Sequence, residues 1–376
     1  MKIAVPIERR RGEQRVALVP ESCKRLLAAG VEVAIEAGAG AAAFFPDAAY
    51  AKLGVTVESD RARLLGAADL VCVVNPPEPA DVALVRQGAL LLGSLFPTRN
   101  LEVMQALAAR RVTAFSTDCI PRTTRAQSMD TLSSQGNITG YKGALLGALE
   151  LPKYYPMFMT AAGTTLAAKV FVIGAGVAGL QAIATARRLG GSVTATDVRP
   201  EVKEQIESVG AKYVGIELGQ SGAAGGGYAR ELSAEDKARQ AQLLAEHCGT
   251  VDVVITTALI GGVVAPKLLD EKVVSGMKPG SVIVDLGADG GGNCTLSRPG
   301  ETVRAHGVTI LAPLNLPATV PHHASMLFSR NLLNFFTAFW NTKDKKLELD
   351  FADDILAGAV ITRDGAIVHA PTKKLT

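Results

Sequence analysis

The sequence predicts an α/β protein built from two Rossmann-like domains, each a doubly wound parallel sheet, with a cleft between them. Short apolar segments alternate with amphipathic helical segments along almost the whole chain, which is typical of parallel sheets covered by helices. A length of 376 residues suits two domains better than one. Hydrophobic residues make up 48% of the chain and charged residues 20%, which is enough apolar material for two buried cores.

The first domain begins with the chain and alternates strands with helices. Its strands are predicted at residues 2–6, 31–36, 70–74, 90–95 and 112–116, with an edge strand that starts at residue 55. Its helices are predicted at residues 20–29, 47–53 and 101–110.

A polar segment at residues 121–135 follows the first domain. It has few large apolar side chains, and its polar ones are those of Arg122, Arg125, Gln127, Asp130, Ser133 and Ser134. It leads into a helix predicted at residues 138–149. Polar segments that join two α/β domains often line the cleft between them. From composition alone, a plain solvated linker is an equal alternative.

A second series of strands and helices starts at residue 170. Its strands are predicted at residues 170–173, 192–196, 213–215, 251–256, 282–285 and 308–311. Between the third and fourth of them, residues 219–228 contain five glycines, and we expect a mobile loop there.

The remainder of the chain is expected to return to the first domain, because a six-stranded domain is already complete by residue 311. It contains an apolar helix at residues 325–340, whose large side chains are predicted to be core, and a hairpin at residues 359–368. The predicted domains are therefore residues 1–134 with 317–376, and residues 135–316.

A glycine turn opens the second domain. Gly174, Gly176 and Gly179 form a GxGxxG pattern between an apolar strand and a helix of small residues. Asp197 ends the next strand, 18 residues beyond the third glycine, which fits a dinucleotide fingerprint. Its carboxylate would accept hydrogen bonds from the adenosine ribose and repel a 2′-phosphate, so NAD is favoured over NADP. Arg199 argues weakly the other way, since an arginine at this strand end can hold such a phosphate.

Charge, cysteines and apolar runs exclude several classes of protein. The net charge is only +3 without a dense basic block, which argues against nucleic acid binding. The five cysteines are widely spaced and the adjacent His322 and His323 lack metal-ligand spacing, so neither a disulfide framework nor a metal site is predicted. No signal sequence and no apolar run of about 20 residues is recognisable, so we expect a soluble cytosolic protein.

Several segments together resemble one family. They include RGEQRVAL (11–18), PRTTRAQSMDTLSSQ (121–135), GAGVAGLQAIATARRLG (174–190), ATDVR (195–199), GGGYARE (225–231), ITTALI (255–260) and GGNC (291–294). On these segments the chain resembles, over nearly its whole length, the NAD(H)-binding component of proton-translocating nicotinamide nucleotide transhydrogenases. RAQSMD and GGYA are specific to that family, whereas the others are shared with the related alanine dehydrogenases.

The resemblance implies which residues hold the cofactor. The nicotinamide and its ribose would be held by Arg122, Gln127, Asp130 and Ser133. The rest of NAD(H) would lie on the glycine turn and contact Val177, Asp197, Val198, Arg199, Gly227, Gln240, Ala258 and Leu259, with Tyr228 on a lid. Direct hydride transfer between two nicotinamides moves no separate proton, so these residues would position the ring rather than act as acids or bases.

The resemblance also implies partners. This chain would bind NAD(H), a partner subunit would bind NADP(H), and membrane-spanning subunits would carry the coupled proton. The chain would then lie on the cytoplasmic face of the inner membrane, held there by these partners. The apolar residues 151–168 would form a hairpin that embraces a second copy of the chain, giving a homodimer.

Two other functions stay open at this stage, an amino-acid dehydrogenase of the alanine dehydrogenase type and a non-catalytic NAD sensor. The dehydrogenases place a substrate-binding Lys and a catalytic His where this chain has Asn75 and Phe96, and oxidative deamination needs a group that takes a proton. Arg15 is retained without those companions. Asp289 lies in a segment where the relatives carry an acid, which keeps the dehydrogenase alternative open. A sensor would have no need to cradle the nicotinamide ring.

Overall fold

The structure is a computed structural model that describes residues 1–215, 233–259 and 264–376. These residues form two compact units, residues 1–135 with 317–376 and residues 136–316. Each unit is built on a mostly parallel sheet with helices, which confirms the predicted α/β fold class. The loop predicted at residues 219–228 lies outside the described residues. Within the described ranges, no helix combines the length and the hydropathy that crossing a membrane requires.

The elements alternate along the chain. The strands are β1 (Lys2–Val5), β2 (Glu32–Glu36), β3 (Thr56–Glu58), β4 (Leu70–Cys72), β5 (Leu90–Gly93), β6 (Thr113–Ser116), β7 (Phe158–Thr160), β8 (Gly163–Thr165), β9 (Lys169–Ile173), β10 (Ser192–Thr196), β11 (Lys212–Tyr213), β12 (Val253–Thr256), β13 (Val282–Asp285), β14 (Thr302–Ala305), β15 (Val308–Leu311), β16 (Trp340–Asn341), β17 (Lys346–Leu347), β18 (Val360–Arg363) and β19 (Ala366–Ile367). The helices are α1 (Pro20–Ala28), α2 (Asp47–Ala51), α3 (Arg61–Gly66), α4 (Pro79–Leu84), α5 (Leu101–Ala109), α6 (Thr131–Glu150), α7 (Val177–Arg188), α8 (Lys203–Ser208), α9 (Ala234–Cys248), α10 (Glu271–Ser275), α11 (Pro321–Ala338), α12 (Asp354–Ala359) and α13 (Ala370–Lys373).

The sheet of the first unit has eight strands in the order β19-β18-β6-β5-β4-β1-β2-β3. The six strands from β1 to β6 are parallel and have the 3-2-1-4-5-6 order of a doubly wound fold. β18 pairs antiparallel with β6, and β19 pairs antiparallel with β18. The end of the chain therefore completes the sheet that its beginning started.

Helix α11 supplies much of the core of the first unit. Leu332, Leu333, Phe335 and Phe336 are buried in the cluster that covers one face of the sheet. The prediction that this apolar helix is core is confirmed. The helix begins earlier than predicted, at Pro321, because the fixed φ of proline and its missing N–H suit the first position of a helix.

The sheet of the second unit has seven strands in the order β11-β10-β9-β12-β13-β15-β14. Without β14 this is again the 3-2-1-4-5-6 order, and the glycine turn follows the central strand β9. The prediction of six strands was wrong by this one element, which pairs antiparallel with β15. β14 escaped prediction because its four residues alternate between exposed and half-buried, so it lacks the continuous apolar run of a buried parallel strand.

Helix α6 begins at Thr131 rather than at residue 138. The Ser133 N–H donates to Asp130 Oδ1 at 2.9 Å, so Asp130 caps the first turn. Ser133 and Ser134 are therefore helical, and the predicted linker ends earlier than expected. The polarity of this turn hid the helix, because its side chains form a cap instead of an apolar stripe.

Three glycines let α6 pack closely within the second unit. A Cβ at Gly140 would come within 2.0 Å of the carbonyl oxygen of Ala178, in the first turn of α7. A Cβ at Gly143 would come within 2.6 Å of Leu286 Cδ1, and one at Gly147 within 3.0 Å of a Val253 methyl group. α6 thereby supports the start of the helix that follows the glycine turn.

Candidate functional site

The glycine turn joins β9 to α7 at the carboxyl edge of the second sheet. Gly174 has a φ of 93°, a conformation that favours glycine. A Cβ at Gly179 would come within 1.9 Å of the Gly174 carbonyl oxygen, so this close approach of helix and turn requires glycine. A Cβ at Gly176 would meet nothing within 4 Å. The turn therefore leaves open space beside bare backbone, which suits a ligand that approaches the backbone closely.

Helix α7 begins directly after Gly176, and no side chain caps its N-terminus. The N–H groups in the first turn of a helix have no partner within the helix, and together with the helix dipole they favour an anion. Val177, the first residue of the helix, is 42% exposed and presents an apolar surface beside the turn.

Asp197 follows β10, next to the glycine turn. Because β10 lies parallel to β9, the Asp197 carboxylate reaches the turn, and Oδ2 accepts the Ala175 N–H at 2.7 Å. Arg199 binds the same carboxylate: its Nε donates to Oδ1 and its Nη2 to Oδ2, both at 2.9 Å. Asp197 raises the pKa of the Arg199 guanidinium through this hydrogen bonding. The carboxylate is thus in place at the turn, but its charge is paired within the protein.

The loop after β12 lies against the glycine turn. Thr257 Oγ1 donates to the Gly174 carbonyl at 2.9 Å. Ala258 and Leu259 follow, both half-buried, and Asn293 Nδ2 donates to the Ala258 carbonyl at 2.9 Å. These hydrogen bonds hold the 257–259 loop beside the turn.

Asp285 organises the segment that carries Asn293. It ends the buried strand β13 and is fully buried. Its carboxylate accepts the N–H groups of Asn293 and Cys294 at 3.0 and 2.9 Å and the Ser297 hydroxyl at 2.6 Å. Sequence reasoning missed Thr257, Asp285 and Asn293 as supports of the site. The available signal was an acidic residue at the end of an otherwise apolar strand, as at Asp197.

The RAQSMD segment is anchored within the first unit. Ala126 and Met129 are buried in its core. The side-chain amides of Asn331 and Asn334, both on α11, donate to the Ser128 carbonyl at 2.8 and 3.0 Å. These contacts fix the backbone of the segment while its polar side chains point elsewhere.

The four residues that the resemblance assigns to the nicotinamide fall into two pairs. Arg122 and Gln127 are exposed. Asp130 and Ser133 bind each other, since Asp130 accepts the Ser133 hydroxyl at 2.5 Å in addition to its N–H. Asp130 thus already has a structural partner as the cap of α6, whereas Gln127 is displayed on the surface of the unit.

Arg15 and Asn75 belong to a buried cluster with two glutamates. Arg15 Nε and Nη2 donate to the two carboxylate oxygens of Glu13, at 2.8 and 2.7 Å. Burial raises the pKa of Glu13, but its bonds to Arg15 outweigh burial and hold that pKa at about 2. Asn75 Nδ2 donates to Glu13 and Glu8, and burial raises the pKa of Glu8 to about 7. A carboxylate of the protein therefore occupies the guanidinium that an alanine dehydrogenase would offer to its substrate.

The structure groups some predicted residues and separates others. The glycines of the turn, Val177, Asp197, Ala258 and Leu259 lie at the carboxyl ends of neighbouring strands in the second unit. Val198 is half-buried beside Asp197, and Gln240 is half-buried on α9 of the same unit. Arg122, Gln127, Asp130 and Ser133 belong to the first unit. Gly227 and Tyr228 lie outside the described residues.

The residues of the turn fit a dinucleotide. Open backbone at Gly176 and an uncapped helix suit the pyrophosphate, and a carboxylate at the end of the adjacent strand suits ribose hydroxyls. Across the part of the chain that the structure describes, no three His, Cys, Asp or Glu side chains gather into a group that could hold a metal ion.

Comparisons with known proteins agree with this fold. The alanine dehydrogenase/PNT N-terminal domain matches residues 4–139, and the C-terminal domain of that family matches residues 143–370. An NAD(P) transhydrogenase alpha subunit of Rhodospirillum rubrum is 47% identical over 376 residues, covering 98% of each chain. The alanine dehydrogenase of Bacillus subtilis is 30% identical over 334 residues, covering 87% of this chain and 82% of that one.

Two solved structures are also similar. A transhydrogenase from Sinorhizobium meliloti has a TM-score of 0.89 at 41% identity and covers 98% of this chain and 100% of its own. An L-alanine dehydrogenase has a TM-score of 0.83 at 25% identity and covers 100% of this chain and 99% of its own. Since family models match both halves of the sequence and relatives of this identity span nearly its full length, the chain belongs to the alanine dehydrogenase/PNT family.

Proposed function

We propose that this chain is the NAD(H)-binding subunit of a proton-translocating transhydrogenase. It would exchange hydride directly between NAD(H) bound here and NADP(H) bound on a partner subunit. The observation that carries the proposal is the glycine turn, where open backbone, an uncapped helix and the Asp197 carboxylate meet. The names of the relatives support it, because the transhydrogenase alpha subunit is more similar to this chain than the alanine dehydrogenase given above.

The second unit would hold the adenosine and pyrophosphate half of the cofactor. The backbone at Gly176 and the start of α7 would receive the phosphates. The remaining contacts would come from Val177, Asp197, Val198, Arg199, Gly227, Tyr228, Gln240, Ala258 and Leu259. Most of the binding energy is expected from this half, since it combines charge, ribose hydrogen bonds and apolar contact.

The first unit would orient the nicotinamide. Arg122 and Gln127 can donate hydrogen bonds to its carboxamide or ribose oxygens, and Asp130 can accept one from its amide. Bound NAD(H) supplies the carbon that gives or takes the hydride, so none of these residues needs to act as an acid or base. Their task would be positioning, with Ser133 keeping the Asp130 carboxylate in place.

Partners follow from this function. A subunit that binds NADP(H) would dock against the nicotinamide, and membrane-spanning subunits would couple the transfer to proton movement and hold this chain at the cytoplasmic face of the inner membrane. A second copy of the chain would pack on the hairpin formed by β7 and β8. Its strands and flanks expose five large apolar side chains, those of Tyr154, Met157, Phe158, Met159 and Leu166, an exposure typical of an interface.

Gln127→Ala tests the positioning role. Hydride transfer needs the reacting atoms about 3–3.5 Å apart, and a misplacement of about 1 Å can cost around a hundredfold in rate. We therefore expect nearly unchanged NADH affinity but a strongly reduced rate of transfer to an NADP analogue, measured by stopped flow with saturating NADP(H)-binding partner. Gln87→Ala, which removes another exposed glutamine of the first unit, should change neither quantity. Weakened binding with a normal rate at saturation would refute the positioning role of Gln127.

A further inference from the structure

The protein itself fills the hydrogen-bonding capacity of the Asp197 carboxylate. Oδ1 accepts the Arg199 N–H and Nε, both at 2.9 Å. Oδ2 accepts the Ala175 N–H at 2.7 Å and Arg199 Nη2 at 2.9 Å. Since a carboxylate offers about four acceptor positions, Asp197 in this state has none left for the hydroxyls of a ribose.

These four donors differ in how easily they can leave. The Ala175 and Arg199 N–H groups are backbone atoms, fixed by the glycine turn and by the chain that follows β10. The Arg199 guanidinium ends a flexible side chain that is 13% exposed. Its departure would free one acceptor position on Oδ1 and one on Oδ2. Two neighbouring ribose hydroxyls need one acceptor each, so the vacated positions match what the adenosine ribose would use.

We infer that Arg199 is a built-in competitor of the adenosine ribose, and that its guanidinium must leave Asp197 before NAD(H) binds. The inference rests on the proposed function. While no nucleotide is bound, the ion pair holds the Asp197 side chain at the turn and neutralises its charge. When nucleotide binds, the free energy of that pair is subtracted from the affinity. Arg199 would therefore weaken binding of NAD(H), although it lies at the cofactor site.

Removing the guanidinium separates this role from a purely structural one. In Arg199→Met, Asp197 keeps its two backbone donors and has a vacant position on each oxygen. NADH should bind about three- to tenfold more tightly, the fold-change expected for losing a competing, partly exposed ion pair. NADPH should not gain, because its 2′-phosphate would meet a carboxylate that is no longer neutralised. A structural role would instead weaken both cofactors together.

The experiment is calorimetric titration of the full-length protein with NADH and with NADPH. The variants are Arg199→Met, Arg199→Lys, Asp197→Asn and the double variant Asp197→Asn with Arg199→Met. Arg199→Lys should fall between wild type and Arg199→Met, because an ammonium cannot make the two-pronged contact. Arg188→Met removes an exposed arginine at the other end of α7 and should leave both affinities unchanged. Thermal unfolding curves establish that each variant is folded, and Arg199→Lys decides the question if Arg199→Met is not.

The outcomes distinguish the inference from the function on which it rests. If wild type does not bind NADH, the proposed function fails and the competitor role fails with it. If wild type binds NADH but Arg199→Met binds it equally or more weakly, only the competitor role is overturned. The gain must also vanish in the Asp197→Asn background, since it needs the carboxylate. A gain that persists there would overturn the inference as well.

Discussion

At the scale of single residues, the three glycines of the turn meet different demands. Gly174 supplies a positive φ, and Gly179 permits a close contact with the backbone of Gly174. Gly176 is under neither constraint, because its backbone is ordinary and a Cβ there would meet nothing. Its lack of a side chain is explained only by a ligand that needs the space.

This difference predicts opposite effects of two alanine substitutions. Gly179→Ala places a methyl group 1.9 Å from a carbonyl oxygen, so the helix must shift. We expect a loss of about 1–3 kcal/mol of stability and a melting temperature about 3–10 °C lower. Gly176→Ala should leave the melting temperature almost unchanged but weaken NADH binding by about tenfold or more. Differential scanning calorimetry and NADH titration separate the two effects. A Gly176→Ala protein with wild-type affinity would contradict a pyrophosphate at this turn.

A second prediction at this scale concerns amino acids. The Arg15 guanidinium is paired with Glu13, and Phe96 has no group that takes a proton. We expect no formation of NADH from NAD and L-alanine, in a spectrophotometric assay with a bacterial alanine dehydrogenase as positive control. Robust turnover with any amino acid or 2-hydroxy acid would favour the alternative function, a dehydrogenase of the alanine dehydrogenase type.

Residue types at strand ends could be predicted from the sequence, but their pairing could not. The position of Asp197 follows from strand length and parallel pairing, which are encoded by apolar runs. The ion pairs of Asp197 with Arg199 and of Glu13 with Arg15 depend on side-chain rotamers and on local burial. A sequence pattern records neither of these, so both pairs appeared only in the structure.

At the scale of elements, buried strands were the most predictable. β10, β13 and β15 have the predicted bounds, because continuous apolar runs end abruptly at polar residues. β14 and the first turn of α6 were missed for the opposite reason. Their residues are polar or half-exposed, and their structure depends on a neighbouring strand or on a capping side chain instead of an apolar stripe.

The cap of α6 makes a testable contribution. Asp130→Ala leaves the Ser133 N–H without its acceptor and should cost about 0.5–2 kcal/mol. Amide hydrogen exchange should rise in the first turn of α6 while the central strand β9 stays protected. Asp130→Asn provides the control, since asparagine also caps helices well. Equal exchange in wild type and Asp130→Ala would show that the cap does not hold this turn.

At the scale of the whole molecule, the second unit is inserted into the first. Residues 317–376 supply the helix α11 and the strands β18 and β19, without which the first unit lacks much of its core and one side of its sheet. The first unit therefore depends on contacts between the two ends of the chain, whereas the second is continuous in sequence. Both units repeat the same strand order, and the glycine turn occurs only after the central strand of the second.

The last prediction concerns the assembly. The hairpin of β7 and β8 projects apolar side chains, with Met159 71% exposed and Leu166 81% exposed. If a second copy covers them, introducing charge there should convert a dimer into a monomer, because burying an unpaired carboxylate is costly. We expect wild type to sediment as a dimer, and Met159→Asp with Leu166→Asp to sediment as a monomer that still binds NADH. Leu375→Asp is the matched control, since it places the same charge on an exposed leucine near the chain end and should leave the dimer intact. A monomeric wild type, or a dimer that survives both substitutions, would exclude the hairpin as the interface.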